Sequence, residues 1–202
     1  CWIRDAAWSA SSLVKLGSTG HAMKLLDWLL GIVDDLECPE RIRPLYTVSG
    51  HDLGAEAEIT DLPGYGGSRP VRVGNAANQQ VQLDVFGTVG DLVASLAEAG
   101  APLTPEHMRL LDAMVDAVAR RWHEPDHGIW EIRDTPRHHV PSKVMCWNTV
   151  NRAIAARHIV DGVERESDLA LRARIHADIL AHGYSERLGG FSSAYGCDDP
   201  DA

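Results

Sequence analysis

The strongest indication of the fold class is a series of helical patterns with few strand patterns between them. The clearest one covers residues 104–123, where apolar side chains recur at spacings of three and four, as one buried helix face requires. Thr104 is suited to cap this helix, because its hydroxyl can accept from a backbone N–H. Similar patterns predict five more helices, at residues 6–16, 21–35, 79–99, 142–161 and 165–182. We therefore expect an all-α fold.

The connections between these predicted helices alternate in length. Short connections make antiparallel neighbours of the helices that they join, and they lie at residues 17–20, 100–103 and 162–164. Residues 37–78 and 124–141 are long connections, and both return to the same end of the helices. Strand-like alternation is limited to residues 45–48 and 55–59. Three helix hairpins with functional loops at one end are predicted.

Composition and charge describe an ordinary globular chain with an acidic surface. The 202 residues are 45% hydrophobic and 24% charged, which suits one domain with a substantial core. A net charge of −10 repels a phosphate backbone, so we expect a neutral small-molecule ligand and no nucleic acid. No apolar run reaches the roughly 20 residues that cross a bilayer, so no membrane partner is expected. Composition does not determine the oligomeric state.

The candidate metal-binding and redox residues are few. The four cysteines are far apart and include no C-x-x-C pair, which argues against a zinc site and against a disulfide framework. Reduced thiols predict a cytoplasmic location. His138 and His139 are adjacent without a third ligand at a useful spacing, so no metal is assigned. Because the chain opens with Cys1 on a segment that already looks structured, we expect the natural N-terminus to lie upstream.

The predicted loop EPDHGIWEIRDTPRHH, residues 124–139, combines aromatic, acidic, basic and imidazole groups. Within it Glu131 lies between two apolar neighbours, one of them Trp130, and such surroundings disfavour the ionised form of a carboxyl group. A general acid that works near neutral pH needs that property. The alternative is a structural ion pair of Glu131 with Arg133 or Arg137.

Two further clusters contain groups that suit a sugar site. The string CWIRDA combines Trp2, Arg4 and Asp5 just before a helix, where an aromatic face and two planar polar groups match a pyranose and its hydroxyls. Asp5 is equally suited to be the helix N-cap, with Arg4 as its exposed partner. The string GYGGSRPVRVGN supplies Arg69, and it lacks the G-x-x-x-x-G-K pattern of a phosphate loop. A turn-rich surface loop with solvated arginines is the alternative for this segment.

Taken in order, four strings resemble successive signatures of glycoside hydrolase family 15, the glucoamylase and bacterial trehalase-like enzymes. They are CWIRDA, GYGGSRPVRVGNAANQQVQLDVFG, PDHGIWEIRDTPRHH and SKVMCWNTVNRAI. The resemblance covers nearly the whole chain, and it implies an (α/α)6 barrel, inversion at the anomeric carbon and no cofactor. The implied substrates contain terminal α-glucosidic bonds, with trehalose ahead of maltooligosaccharides.

The resemblance also assigns roles to residues. It implies that Glu131 is the general acid and that Arg4 and Asp5 hold the terminal glucose. The residues that it implies for the sugar site as a whole are Trp2, Arg4, Asp5, Arg69 and Trp130.

The predicted site is incomplete. An inverting hydrolase needs a second carboxylate at roughly 6.5–9.5 Å from the first, and nothing after Glu131 is a convincing general base. The family has it far downstream, and a closed barrel has twice the number of helices predicted here. We therefore expect residues 1–202 to be a partial catalytic domain that is inactive in isolation. The alternative is a non-catalytic helical scaffold that binds a sugar or a protein.

Overall fold

The computed structural model describes residues 1–201, and α-helices dominate this part of the chain. The all-α prediction is confirmed. The six helices of the described residues are α1 (Ile3–Lys15), α2 (Thr19–Asp34), α3 (Asp84–Glu98), α4 (Pro105–Arg121), α5 (Val140–Asp161) and α6 (Glu166–Gly183).

The helices pack as three hairpins in two layers. Each odd-numbered helix contacts the even-numbered helix that follows it, and α3 also packs against both α1 and α5. Nearly every side chain of α3 is buried, because this helix has neighbours on all sides. The result is an inner layer of α1, α3 and α5 with α2, α4 and α6 outside, joined by one continuous apolar core. None of the helices in residues 1–201 combines the length and apolar character needed to span a membrane.

Two glycines let α3 and α5 approach closely. A Cβ added at Gly87 would lie 2.5 Å from the carbonyl oxygen of Met145, and one added at Gly90 would lie 3.3 Å from the Cα of Thr149. Real side chains do not tolerate the first distance, so the absent Cβ allows backbone-to-backbone packing at this crossing. Because α5 follows the long loop at residues 124–139, this contact also fixes where that loop ends.

Helix α1 begins earlier than the sequence pattern predicts. It starts at Ile3, which is fully buried and extends the apolar stripe of the helix toward the N-terminus. The N-cap position is Trp2, so the alternative in which Asp5 caps the helix is wrong. Asp5 lies inside the first turn, and Arg4 is buried instead of exposed.

Helix α3 begins later than predicted, at Asp84. Residues 79–83 were expected to be helical, but Ala76–Gln79 form a short 3-10 helix whose N-cap, Asn75, accepts from the Ala77 N–H at 2.9 Å. Gln80 then adopts an extended conformation with ψ of 150°. The chain therefore leaves helical geometry at Gln80 and has returned to it at Leu83, directly before α3.

The long connections contain little regular strand. In residues 37–78, β1 (Ala57–Ile59) pairs antiparallel with β2 (Val71–Val73), which confirms part of the predicted strand at residues 55–59. The predicted strand at residues 45–48 is reduced to a single bridge between Trp2 and Leu45. After α6, β3 (Tyr184–Ser185) pairs with β4 (Gly190–Phe191).

Candidate functional site

The first turn of α1 brings three predicted sugar-site residues together. Arg4 is buried, and its Nη1 donates to the Gln82 Oε1 and to the Asp84 Oδ2, both at 3.0 Å. The Arg4 Nε lies 3.9 Å from the carboxylate of Asp5, whose side chain is 66% exposed. The Arg4 guanidinium also lies over the Trp2 ring, 5.9 Å from its centroid. Asp5 is thus the member of this group that solvent reaches most freely, with Arg4 behind it.

Two buried carboxyl groups, Asp84 against Arg4 and Asp126 near Asp84, lie at the start of α3. Burial raises the pKa of Asp84, the neighbouring Arg4 charge opposes that rise, and the charge of Asp126 adds to it. Asp126 Oδ2 accepts from the Leu83 N–H at 3.0 Å and from the Ser142 hydroxyl at 2.7 Å. These bonds connect the start of α3 to the loop at residues 124–139 and to α5. Neither aspartate was among the predicted site residues.

Glu131 lies in the loop between α4 and α5 and is half-buried. With φ of 55° it is the one non-glycine residue of the described chain in the left-handed region. Neither Arg133 nor Arg137 forms an ion pair with it within residues 1–201, so the structural-pair alternative is wrong. Arg133 instead donates to the Glu56 carboxylate at 2.8 and 3.2 Å.

The apolar neighbours of Glu131 do not enclose it. Trp130 is 60% exposed and Ile132 is 45% exposed, so solvent reaches the side chains on both sides of Glu131. The turn at Glu131 directs its sequence neighbours toward solvent. The Trp130 Nε1 donates to an Asp201 carboxylate oxygen at 2.8 Å, which holds the ring beside the last part of the chain.

Glu56 anchors the glutamate-bearing loop to the β1–β2 hairpin. Its carboxylate accepts from Arg133 and from the Ala76 N–H, the latter at 3.1 Å, and lies 3.6 Å from Arg72. The hydrogen bonds from Arg133 and from the Ala76 N–H lower the pKa of Glu56 to about 2. Glu56 therefore remains an anion at any pH where an enzyme of this kind would work.

A path of hydrogen bonds connects the two predicted parts of the site. Gln82, which accepts from Arg4, donates from its Nε2 to the Gln80 Oε1 at 3.0 Å. Gln80 Nε2 in turn donates to the carbonyl oxygens of Glu131 at 3.2 Å and of Ile132 at 3.4 Å. Two glutamine side chains thus separate the Arg4 guanidinium from the backbone of the Glu131 turn.

Arg69 is not part of this arrangement. It donates to the carbonyl oxygens of Thr60 and Pro63, both at 3.4 Å, within its own β1–β2 connection. Arg69 also lines a cavity of about 460 Å³ beneath the hairpin, together with Leu62 and Arg72. Among the hydrogen bonds and ion pairs of residues 1–201, none links Arg69 to Trp2, Arg4, Asp5, Trp130 or Glu131.

A second cavity, of about 450 Å³, opens beside Gln80 between the 3-10 helices and the end of α4. It is lined by Arg41, Arg43, Arg121 and Glu124 among others. Across residues 1–201 there is no group of three or more His, Cys, Asp or Glu side chains that could hold a metal ion. All four cysteines are free thiols.

Comparison with known proteins supports the family resemblance of the four motifs. The chain belongs to the glycosyl hydrolases family 15, whose sequence profile matches residues 1–202. A trehalase of Mycobacterium tuberculosis is 34% identical over 204 residues, which are 100% of this chain and 30% of that protein. A trehalase of Thermoplasma acidophilum is 30% identical over 202 residues, 100% of this chain and 34% of that protein. The chain thus spans about a third of the length of these curated relatives.

Solved structures share the fold. A glycosidase in complex with glucose superposes with a TM-score of 0.64 at 21% identity, over 98% of this chain and 52% of that one. A wild-type glycosidase gives a TM-score of 0.65 at 20% identity, over 98% of this chain and 52% of that one. The all-α toroid that the resemblance implied is confirmed as the fold class, and the match covers about half of each of these solved chains.

Three residues that were not predicted for the site follow an alternating pattern in the sequence. Gln80, Gln82 and Asp84 alternate with Val81 and Leu83 in QVQLD. A period of two is typical of extended chain, and it places three polar side chains on one side. Read as the first turn of a helix, the same pattern points Gln82 away from Gln80 and Asp84, so neither the bonds of Gln82 and Asp84 to Arg4 nor those of Gln80 to the Glu131 turn were predicted.

Proposed function

We propose that the chain forms the acid half of an inverting α-glucoside hydrolase, with Glu131 as the general acid. Membership of family 15 and the trehalase relatives support glycosidic bond hydrolysis as the reaction class. The observation that carries the assignment to Glu131 is the hydrogen-bonded path from its turn to Arg4, since an acid must act beside the bound sugar.

The proposed reaction needs two carboxyl groups. Glu131 gives its proton to the glycosidic oxygen while the bond from that oxygen to the anomeric carbon breaks, so the leaving sugar departs as a neutral alcohol. A water molecule attacks the anomeric carbon from the opposite face and loses a proton to a general base, roughly 6.5–9.5 Å from the acid. We propose that this base lies outside residues 1–202, in the two thirds of the relatives that the chain does not match, and that residues 1–202 alone are inactive.

The sugar itself is proposed to lie against the first turn of α1. Asp5, exposed at the surface, would accept from sugar hydroxyls, while buried Arg4 orients Asp5 and balances its charge. The rings of Trp2 and Trp130 offer apolar faces to the pyranose. A contact of Arg69 with the sugar stays a prediction from the resemblance.

Trehalose is the proposed first substrate, because the curated relatives named above are called trehalases. A carbohydrate partner, a cytoplasmic location and chemistry without a cofactor remain predictions. The same assay tests the acid and the substrate together: glucose release from trehalose, maltose and a longer maltooligosaccharide by the whole protein.

We expect Glu131→Gln to lower turnover on trehalose by about 10²–10⁴-fold with little change in KM, because the amide keeps the shape of the side chain but has no proton to give. The matched control is Glu164→Gln, an exposed carboxylate between α5 and α6, which should retain wild-type turnover. Undiminished hydrolysis by Glu131→Gln would end the assignment. If the wild type hydrolyses maltose or the maltooligosaccharide but not trehalose, the preference for trehalose is removed. If it hydrolyses none of the three sugars, the non-catalytic scaffold is favoured.

A further inference from the structure

We propose that Gln80 and Gln82 are positioning residues that hold the Glu131 turn in register with the Arg4–Asp5 pair. This inference depends on the proposed function, because it concerns where the general acid stands relative to the sugar. The two glutamines form one continuous series of hydrogen bonds between a cation and a backbone turn. We refer to this series as the glutamine relay.

The direction of the glutamine relay is determined at both ends. Arg4 can only donate, so the atom of Gln82 that it meets is the carbonyl oxygen, and the amide nitrogen must point toward Gln80. The carbonyl oxygens of Glu131 and Ile132 can only accept, so the Gln80 amide nitrogen must face them. Both amide orientations are therefore assigned by chemistry, and every dipole in the series points the same way. Hydrogen bonds aligned in this manner polarise and strengthen one another.

Burial makes the relay costly to break at its Arg4 end. Arg4 and Gln82 are each 5% exposed, so water cannot readily replace a lost partner. At the other end the relay meets a backbone conformation that is strained for a glutamate, with φ of 55°. Such a conformation persists only where surrounding contacts hold it, and the Gln80 amide provides two of them.

The function of this arrangement would be to fix the distance between acid and sugar. A general acid must lie within hydrogen-bonding reach of the oxygen that it protonates, and a displacement of about 1 Å can cost about 100-fold in rate. Since Glu131 sits on a loop, its position depends on what that loop is bonded to. The relay bonds it to the same arginine that supports Asp5.

The test compares two α-glucosyl substrates whose leaving groups differ in their need for a proton. Cleavage of trehalose requires protonation of the leaving sugar, whereas α-glucosyl fluoride releases fluoride, which leaves with little protonic help. We expect Gln80→Glu, which sets a carboxylate against two carbonyl oxygens, and Gln80→Met, which removes the amide, to lower kcat on trehalose by about 10–100-fold. Their kcat on α-glucosyl fluoride and their KM for trehalose should stay close to wild type.

The matched control is Gln79→Glu, the same substitution one residue earlier, at an exposed side chain outside the relay. It should leave both substrates unaffected. All variants are made in the whole protein and compared by thermal melting, and Gln82→Met serves as the second probe if Gln80→Glu does not fold. A relay also requires that combining Gln80→Met with Gln82→Met costs less than the sum of the two single effects on kcat.

Glu131→Gln is measured alongside and separates the two ideas. If Glu131→Gln loses trehalose activity selectively while the Gln80 variants behave like Gln79→Glu, the relay is overturned and the proposed function stands. If the Gln80 variants lose both substrates equally, their role is structural and the relay is likewise overturned. If Glu131→Gln keeps full trehalose activity, the proposed function fails first and the relay falls with it.

Discussion

The backbone at Glu131 is held from two directions. On one side Gln80 donates to the carbonyl oxygen of Glu131, and on the other Arg133, two residues later, is bound by the Glu56 carboxylate. A left-handed conformation at a glutamate costs about 1–2 kcal/mol, so both contacts offset a local strain. Glu56 thus supports the loop that bears Glu131, although no local sequence pattern connects the two residues.

We expect Glu56→Gln to loosen the loop that bears Glu131, because a neutral amide binds the Arg133 guanidinium more weakly than a carboxylate does. Hydrogen exchange in residues 129–137 should become faster than in wild type. Glu58→Gln is the control, since Glu58 pairs with Arg72 on the same hairpin and not with Arg133. Equal protection in the two variants would contradict this role of Glu56.

The same contact has a defined pH dependence. The folded-state pKa of Glu56 is about 2, below its ordinary value of 4.5, so its contribution to stability is fully present above about pH 4.5 and is lost as pH falls toward 2. Protection factors in residues 129–137 should therefore not change between pH 7 and pH 5.

Among the helices, the crossing of α3 and α5 determines where two loops of the candidate site end. Helix α3 follows the glutamine relay, and α5 follows the loop with Glu131. Gly87 permits the close approach of these helices at Met145. A change at this crossing would shift the two loops relative to each other.

We expect Gly87→Ala to lower the free energy of unfolding by about 1–3 kcal/mol, because the added Cβ meets backbone that cannot move alone. Gly31→Ala is the matched control: it lies in α2 with no atom within 4 Å of the new Cβ, so the substitution should stabilise by up to about 1 kcal/mol. Urea unfolding of both variants measures the difference. A stable Gly87→Ala protein with an unchanged transition would contradict the packing described for α3 and α5.

At the scale of the whole molecule, large apolar side chains remain at the surface of the inner and outer helices. The exposed ones include Trp8 and Leu16 near α1, Ile159 and Val160 on α5, and Leu180 on α6. Single exposed apolar residues are common on any surface, but Ile159, Val160 and Leu180 lie on the packed helices α5 and α6, and several such side chains on neighbouring helices favour association.

We therefore expect residues 1–202, when produced alone, to self-associate. Size-exclusion chromatography with light scattering should report species larger than a monomer, and replacing Ile159 and Leu180 with charged residues should shift the distribution toward the monomer. A monodisperse monomer that melts cooperatively would show that these side chains need no further cover.

Local sequence patterns were enough to predict the helices, their pairing into hairpins and the segments that contain the candidate site residues. Amphipathic periodicity, glycine stop signals and short connections are local properties, so they can be recognised without knowing which helices pack together. The motifs around Arg4 and Glu131 were recognisable for the same reason, as strings of adjacent residues.

Contacts between distant parts of the chain became visible only once the helices were packed. Gln82 contacts Arg4 across 78 positions, and Gln80 contacts Glu131 across 51. Such pairs depend on how α1, α3 and α5 pack, and no local sequence pattern specifies contacts between residues so far apart in the chain. The same dependence ruled out two alternatives, since the burial of Arg4 and the partner of Arg133 were set by neighbours distant in sequence.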